Sequence, residues 1–299
     1  MAFNPSKQQQ DIFDFISGGE GNAIVDAKAG SGKTTTIVEG MKHIKYDLVM
    51  PDVTFLAFNK SIADTLSQRC PRGVQCSTFH SLGFRALKAS GILEPRVKVD
   101  GRKIWKLLWN VTDRDDPDQR NIARLVGLLK STVHPPSYEQ IDPRDLIEYH
   151  NIDFEKPAQS IHIALMVLEA STKQLDVIDF DDMLYLAVVL NARFEPKDWV
   201  FVDEAQDTND IQLEILSRLQ KYPTLHMSKE TNQVSEISSS RLIAVGDPHQ
   251  AIYGFRGANS DSMQRIAKRF SCKTLPLSVS YRCPKATVRE AQRFLCQEE

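Results

Sequence analysis

Nine consecutive residues, AKAGSGKTT (Ala27–Thr35), combine two glycines, two lysines and a pair of threonines where the apolar run NAIVDA ends. Gly30 and Gly32 let the backbone turn successive N–H groups onto one anion, with Ala29 and Ser31 completing the turn. A helix opening at Lys33 would aim its positive dipole end at the same point. Lys33 can reach terminal phosphate oxygens, and the Thr34 hydroxyl, followed by Thr35, is a hard oxygen ligand of the kind Mg2+ takes. The pattern is a phosphate-binding loop with Ala27 where the strict form has glycine. A second cluster, VFVDEAQD, ends an apolar strand with Asp203 and Glu204. Asp203 can hold Mg2+ through water. Glu204 is placed to orient or deprotonate a water, so the chemistry is hydrolysis of a phosphoanhydride. A third stretch, VGDPHQAIYGFRGA, offers Gln250 as a sensor of the terminal phosphate. Its Tyr253 and Phe255 alternate with Arg256, which suits base stacking with a phosphate contact or, equally, a buried aromatic cluster.

These groups need elements that bring them together. NAIVDA (22–27), VTFLAF (53–58) and VQCST (74–78) read as buried strands alternating with helices from Lys33 and Ser61. Strand–helix alternation predicts a parallel sheet covered on both faces, the α/β class, with ligands beyond the carboxyl ends of its strands. Further strands are expected at the DWVFVDEAQD stretch, at 241–247 and at 272–278. Between Ala89 and Val177 the pattern changes: Ile104, Leu107, Leu108 and Val111, and again Ile122, Leu125, Val126 and Leu129, recur at helical spacing. This reads as an all-helical insertion. The polar, Ser-rich stretch 228–240 reads as a flexible loop.

The whole composition is neutral, with 37 Lys+Arg against 39 Asp+Glu, so no global basic field points to nucleic acid. Locally the balance is different: 60–106 holds ten Lys/Arg against three Asp/Glu, and 256–293 nine against two. Such patches suit a polyanion held in one groove, or solvated helix faces. The five cysteines lack C-x-x-C spacing, which argues against a zinc site or a disulfide framework and fits a reducing compartment. There is no signal-peptide pattern and no apolar run long enough for a bilayer, so a cytoplasmic or nuclear location is expected.

Taken in order, these motifs resemble the UvrD/Rep-type DNA helicases of superfamily 1. PSKQQQDIF resembles the family's adenine-reading motif; a Ser6-x-x-Gln9 capping box favours Gln9 as the reader, with Gln8 and Gln10 as alternative registers. FLAFNKSIA and STFHSLG resemble single-strand-contacting motifs and point to Phe58, Asn59, Thr78, Phe79 and His80. On residue type alone Phe58 and Phe79 fit a core, Asn59 and Thr78 fit helix caps, and His80 fits a satisfied polar residue. SVSYRC resembles the motif whose Tyr packs on adenine and whose Arg touches the γ-phosphate, here Tyr281 and Arg282. The resemblance implies a P-loop RecA-like motor domain in two segments, 1–88 and 178–274, with a helical insertion at 89–177. It also implies the beginning of a second, truncated RecA-like domain at 275–299. It implies ATP and Mg2+ as cofactors and single-stranded or partly duplex DNA as partner. Movement would be 3′-to-5′, with a downstream or partner chain supplying the second motor domain. The rival reading is a DNA-dependent switch that holds ATP without productive unwinding. A small-molecule kinase would explain neither Gln250 nor the aromatic loop.

Overall fold

The computed structural model describes residues 3–18, 20–46, 49–134, 137–221, 225–227, 234–236, 240–250, 261–282, 284, 286 and 289–290. The chain opens with helix α1 (Lys7–Gly18), strand β1 (Ala23–Ala27), α2 (Lys33–Met41), β2 (Val53–Ala57), α3 (Lys60–Arg69), β3 (Gln75–Thr78) and α4 (Phe79–Ala89). A mainly helical stretch follows: β4 (Lys98–Val99), α5 (Lys103–Leu108), α6 (Gln119–Lys130), α7 (Arg144–Tyr149), α8 (Pro157–Lys173) and β5 (Val177–Ile178). Then come α9 (Asp182–Val189), β6 (Trp199–Val202), α10 (Asp210–Arg218), β7 (Leu225–Met227), β8 (Val234–Glu236), β9 (Arg241–Gly246), α11 (Ser262–Arg269) and β10 (Lys273–Leu277).

The main sheet is parallel throughout, in the order β10-β1-β9-β6-β2-β3. Every residue of β2 and β6 is buried, as expected when helices cover both faces of a parallel sheet. One face packs Phe55, Phe201 and Val25 against Phe13 of α1, Ile37 of α2 and Leu66 of α3. The other packs Leu56, Val202 and Ala244 against α4, α9, α10 and α11, and is continuous with the core of the helical segment. Because all strands run the same way, the loops after β1, β2, β3, β6, β9 and β10 gather at one edge. Those loops carry the chemistry-bearing residues.

Local signals start the helices. The Asn59 side chain accepts from Ile62 N–H at 2.9 Å to open α3, and Thr78 Oγ1 accepts from Ser81 N–H at 3.1 Å to open α4. Asn209 and Gln212 form a reciprocal capping box at α10. Buried Asp118 accepts from the N–H groups of Glu155 and Lys156 and from the Ser160 hydroxyl, closing the open end of α8.

Two expectations change. The strand at 273–277 hydrogen-bonds in parallel with β1, so Leu275–Leu277 complete the first sheet rather than opening a second domain after residue 274. Pro276 suits that place: proline cannot donate to a ladder, and β10 is an edge strand. Within the expected loop 228–240, Val234–Glu236 pair antiparallel with Leu225–Met227. No described helix is long and apolar enough to cross a membrane.

Candidate active site

The turn after β1 is built by two left-handed glycines, Gly30 (φ 73°) and Gly32 (φ 80°), the second sitting at the start of α2. Ser31 N–H bonds back to Lys28 C=O at 3.0 Å, and Ala27 is buried as the last residue of the strand while Ala29 is exposed. Ser31 Oγ is buried and has no hydrogen-bond partner among the described residues. A buried hydroxyl without a partner is costly, and in this turn a phosphate oxygen would supply one. The segment after β10 lies directly over the turn: Tyr281 N–H donates to Gly30 C=O at 2.9 Å. A Cβ on Gly30 would meet Arg282 Cβ at 2.6 Å and Ser280 Oγ at 2.8 Å.

The carboxylates at the end of β6 face this turn. Lys33 Nζ is 2.7 Å from Glu204 Oε2, and the Thr34 hydroxyl donates to Asp203 Oδ2 at 2.7 Å. The two halves of the sequence pattern, about 170 residues apart in the chain, therefore meet side chain to side chain. Asp203 is 4% exposed, and burial pushes its carboxyl upward, opposed by the Thr34 hydroxyl. Asp207 rises to about 6 because burial, and then the Glu204 charge, disfavour a second anion. No group of three or more His, Cys, Asp or Glu among the described residues suits a metal ion. Thr34 and Asp203 alone fit Mg2+, which takes few protein ligands and completes its octahedron with phosphate oxygens and water.

Glu204 has a left-handed backbone (φ 52°, ψ 48°), unusual for a side chain of its size and a form of strain found at functional sites. Its carboxylate also accepts from Gln206 Nε2 at 2.8 Å. Gln206 Oε1 accepts from Asp247 N–H at 3.1 Å, and Asp247 Oδ2 accepts from Gln250 Nε2 at 2.7 Å. Sequence reading missed Gln206 and Asp247. Both sit inside quoted motifs, but their roles need the contact between the ends of β6 and β9.

Lys33, Thr34, Thr35, Asp203, Glu204, Gln250 and Arg282 line one groove of about 390 Å³, walled on its far side by α3. Arg69, from the last turn of α3, donates to Thr35 Oγ1 at 3.0 Å and also lines the groove. Sequence reading missed it because nothing local links it to the phosphate loop. Beside the groove, Tyr281, Gln9, Phe3, Asn4, Gly32 and Thr35 line a second cavity of about 280 Å³. Tyr281 is 63% exposed there, a free aromatic face.

Gln9 forms the expected capping box with Ser6 and is 4% exposed. Its carbonyl is taken by Ser6 N–H and its amino group donates to Thr36 Oγ1 at 2.9 Å, so half of its bonding capacity serves the fold. Gln8 exchanges bonds with Ser278, and Gln10 bonds Asp14.

Along the same sheet edge Phe58 is half-buried and Asn59 exposed, with the Asn59 side chain serving as the α3 cap. His80 is half-buried. Phe79 is a correction: at 6% exposure its ring belongs to the core under α4 and offers no stacking face, because α4 begins there and turns the ring inward. Thr78 is likewise buried and caps α4. Tyr253, Phe255 and Arg256 lie outside the described residues.

The family model of the UvrD/REP helicase N-terminal domain matches residues 6–271. The chain is 28% identical to the ATP-dependent DNA helicase PcrA of Leuconostoc citreum over 88% of its own length and 35% of the relative's. It is 28% identical to the ATP-dependent DNA helicase Rep of Escherichia coli (strain K12) over 94% of its length and 41% of that protein's. It thus spans between a third and a half of the length of these relatives. Among solved structures, a Pif1 helicase chain aligns with 95% of this chain and 46% of its own length at 14% identity and a TM-score of 0.37. With the P-loop geometry and a match over most of its length, this chain belongs to the UvrD/REP helicase N-terminal domain family.

Proposed function

We propose that this chain is the ATP-hydrolysing part of a DNA helicase that moves along single-stranded DNA, in the 3′-to-5′ direction that the family resemblance implies. The observation that carries the reading is the pair of contacts Lys33–Glu204 and Thr34–Asp203, which supports a phosphate cradle, a metal-ligand pair and a base sharing one groove. The match to ATP-dependent DNA helicases supports the choice of nucleotide and polymer.

Backbone N–H groups of 30–34 and the start of α2 would hold the phosphates. Thr34 and Asp203 would hold Mg2+, which would supply neutralisation of phosphate charge when bound. The Lys33 ammonium, now paired with Glu204, would exchange that partner for a phosphate oxygen. Glu204 is then released to orient water while still bonded to Gln206. Arg282, laid over the turn from the end of β10, would meet the charge that develops on the transferring group. Tyr281 would cover the base in the neighbouring cavity. Exposed Asn59, with Phe58 and His80, occupies the same sheet edge and would face the strand. The segment of Tyr253, Phe255 and Arg256 remains the candidate stacking platform, and the helical residues 89–177 the candidate accessory subdomain.

Lys33→Ala tests the site. Hydrolysis should fall by at least about a hundredfold, with the thermal midpoint little changed, since among the described residues the Lys33 ammonium is bonded to Glu204 alone. Unchanged turnover would sink the phosphate-loop reading. Titrating single-stranded DNA should raise ATP turnover; a rate indifferent to DNA would favour a nucleotide-dependent switch.

A further inference from the structure

Gln206 is buried at 4% exposure between two loops that belong to different strands. Its amide spans them with both ends in use: Nε2 donates to Glu204 Oε2 at 2.8 Å, and Oε1 accepts from Asp247 N–H at 3.1 Å. Asp247 in turn organises the loop after β9. Its carboxylate accepts from His249 N–H at 3.1 Å and from Gln250 Nε2 at 2.7 Å, and its carbonyl accepts from Gln250 N–H at 2.9 Å. The path from Lys33 through Glu204, Gln206 and Asp247 to Gln250 is a run of direct hydrogen bonds. The fold makes room for the middle member. A Cβ on Gly246 would come within 2.4 Å of Gln206 Oε1 and 3.0 Å of Gln206 N, so only glycine lets the amide sit there.

The amide cannot be replaced by a group with one function. A carboxylate would keep the acceptor for Asp247 N–H and repel Glu204. An ammonium would keep the donor and lose Asp247. Glutamine supplies a donor and an acceptor on one planar group, and each end faces its complement here.

We propose that Gln206 is a positioning residue that reports the state of Glu204 to the loop at Asp247–Gln250, so that nucleotide arriving at Lys33 changes the order of that loop. When Lys33 leaves Glu204 for a phosphate, the Glu204 carboxylate keeps Gln206 as its partner and moves with it. The displacement passes through the Gln206 amide to Asp247 N–H, and from Asp247 to both backbone and side chain of Gln250. The proposal rests on the nucleotide reading of the groove and adds the direction in which its occupancy is transmitted.

The test uses the 299-residue chain, Mg2+ and the non-hydrolysable analogue AMP-PNP. Affinity is measured first, by calorimetry. Amide hydrogen exchange of Asp247, His249 and Gln250 is then followed with and without the analogue. Wild type should bind and show at least about a fivefold change in exchange at His249 and Gln250. Gln206→Met, which keeps shape and loses both bonds, should bind within about threefold of wild-type affinity and lose that change. Gly246→Ala, which displaces Gln206 without altering it, should behave the same way and stands in if the first variant folds poorly. A nucleotide-dependent change that survives both substitutions overturns the proposal, as does a wild-type chain that binds and shows no change. Failure of the wild type to bind at all would overturn the reading of the groove and remove this inference with it. Where turnover is measurable, Gln206→Met should lower kcat by about ten- to a hundredfold at nearly constant KM. Combined with Gln250→Ala it should cost no more than the worse single change, whereas additive losses would show that the two residues act independently.

Discussion

Gly30 shows how one residue joins two distant segments. Its φ of 73° is open to glycine and costs an L-residue about 1–2 kcal/mol, and its missing Cβ is the space that Arg282 and Ser280 approach. Gly30→Ala should therefore destabilise the fold by at least about 1–2 kcal/mol and weaken nucleotide affinity by tenfold or more. Chemical denaturation and calorimetry would check both, and an intact affinity would mean that the Ser280–Arg282 segment has no part in the site. Asp207 carries a different signal. One of its oxygens is buried without a partner among the described residues, and its carboxyl is raised to about 6. A carboxyl raised in the folded state favours the protonated form there. Its contribution to stability is thus full below the ordinary value near 3.8 and is lost as pH climbs through about 6. Asp207→Asn should stabilise the chain at pH 7.5 by about 1 kcal/mol after solvent screening and change little at pH 4. Denaturant curves at the two pH values would decide, and equal effects would show that the carboxyl is not strained.

At the scale of elements, the helical segment is tied to the start of α9 by a buried charge cluster. Lys130 lies 2.7 Å from both Asp179 and Asp182, and Lys103 lies 2.7 Å from Asp182 while donating to the Ser171 and Gln174 carbonyls. Asp179 and Asp182 also accept each other's backbone N–H. All four side chains are at most 9% exposed. Burial pushes Lys103 below the usual lysine range, opposed by Asp182. Burying charges costs several kcal/mol per ion, and the cluster survives because each charge is bonded on more than one side. Lys130→Met leaves two carboxylates short of a cation and should cost about 3–5 kcal/mol, read from the denaturation midpoint. A loss under about 1 kcal/mol would mean that water already reaches the cluster. Residues 178–184 are thereby a structural clasp, with exposed Phe180 on the turn between the two mutually bonded aspartates.

At the scale of the molecule, one edge of a parallel sheet collects the ends of six strands, and the groove occupies the side where β1, β6, β9 and β10 meet. Arg282 reaches the groove from beyond the last of these strands. The 299-residue polypeptide by itself is expected to bind ATP with Mg2+ and, in a strand-displacement assay, to separate duplexes poorly. Motor action in the proposed reading needs a second surface that closes on the groove. Robust unwinding by this polypeptide would show that the sheet domain and its helical segment suffice.

The sequence by itself determined whatever depends on near neighbours. A buried strand, a glycine turn and a helix start occur within fifteen residues, so Lys33 and Thr34 could be assigned from spacing alone. Asp203 and Glu204 were legible because an apolar strand ends on them, and the caps at Asn59 and Thr78 because caps act over three residues. Tertiary structure decided everything that depends on which face an element presents and what lies across from it. It turned Phe79 into the core, engaged Gln9 with Thr36, and put Lys273–Leu277 beside β1. It also brought Arg69 to Thr35 and Gln206 between Glu204 and Asp247. A motif names the residues that can do chemistry. Burial and cross-strand contact, set by packing between segments as much as 270 residues apart, select which of them are free to do it.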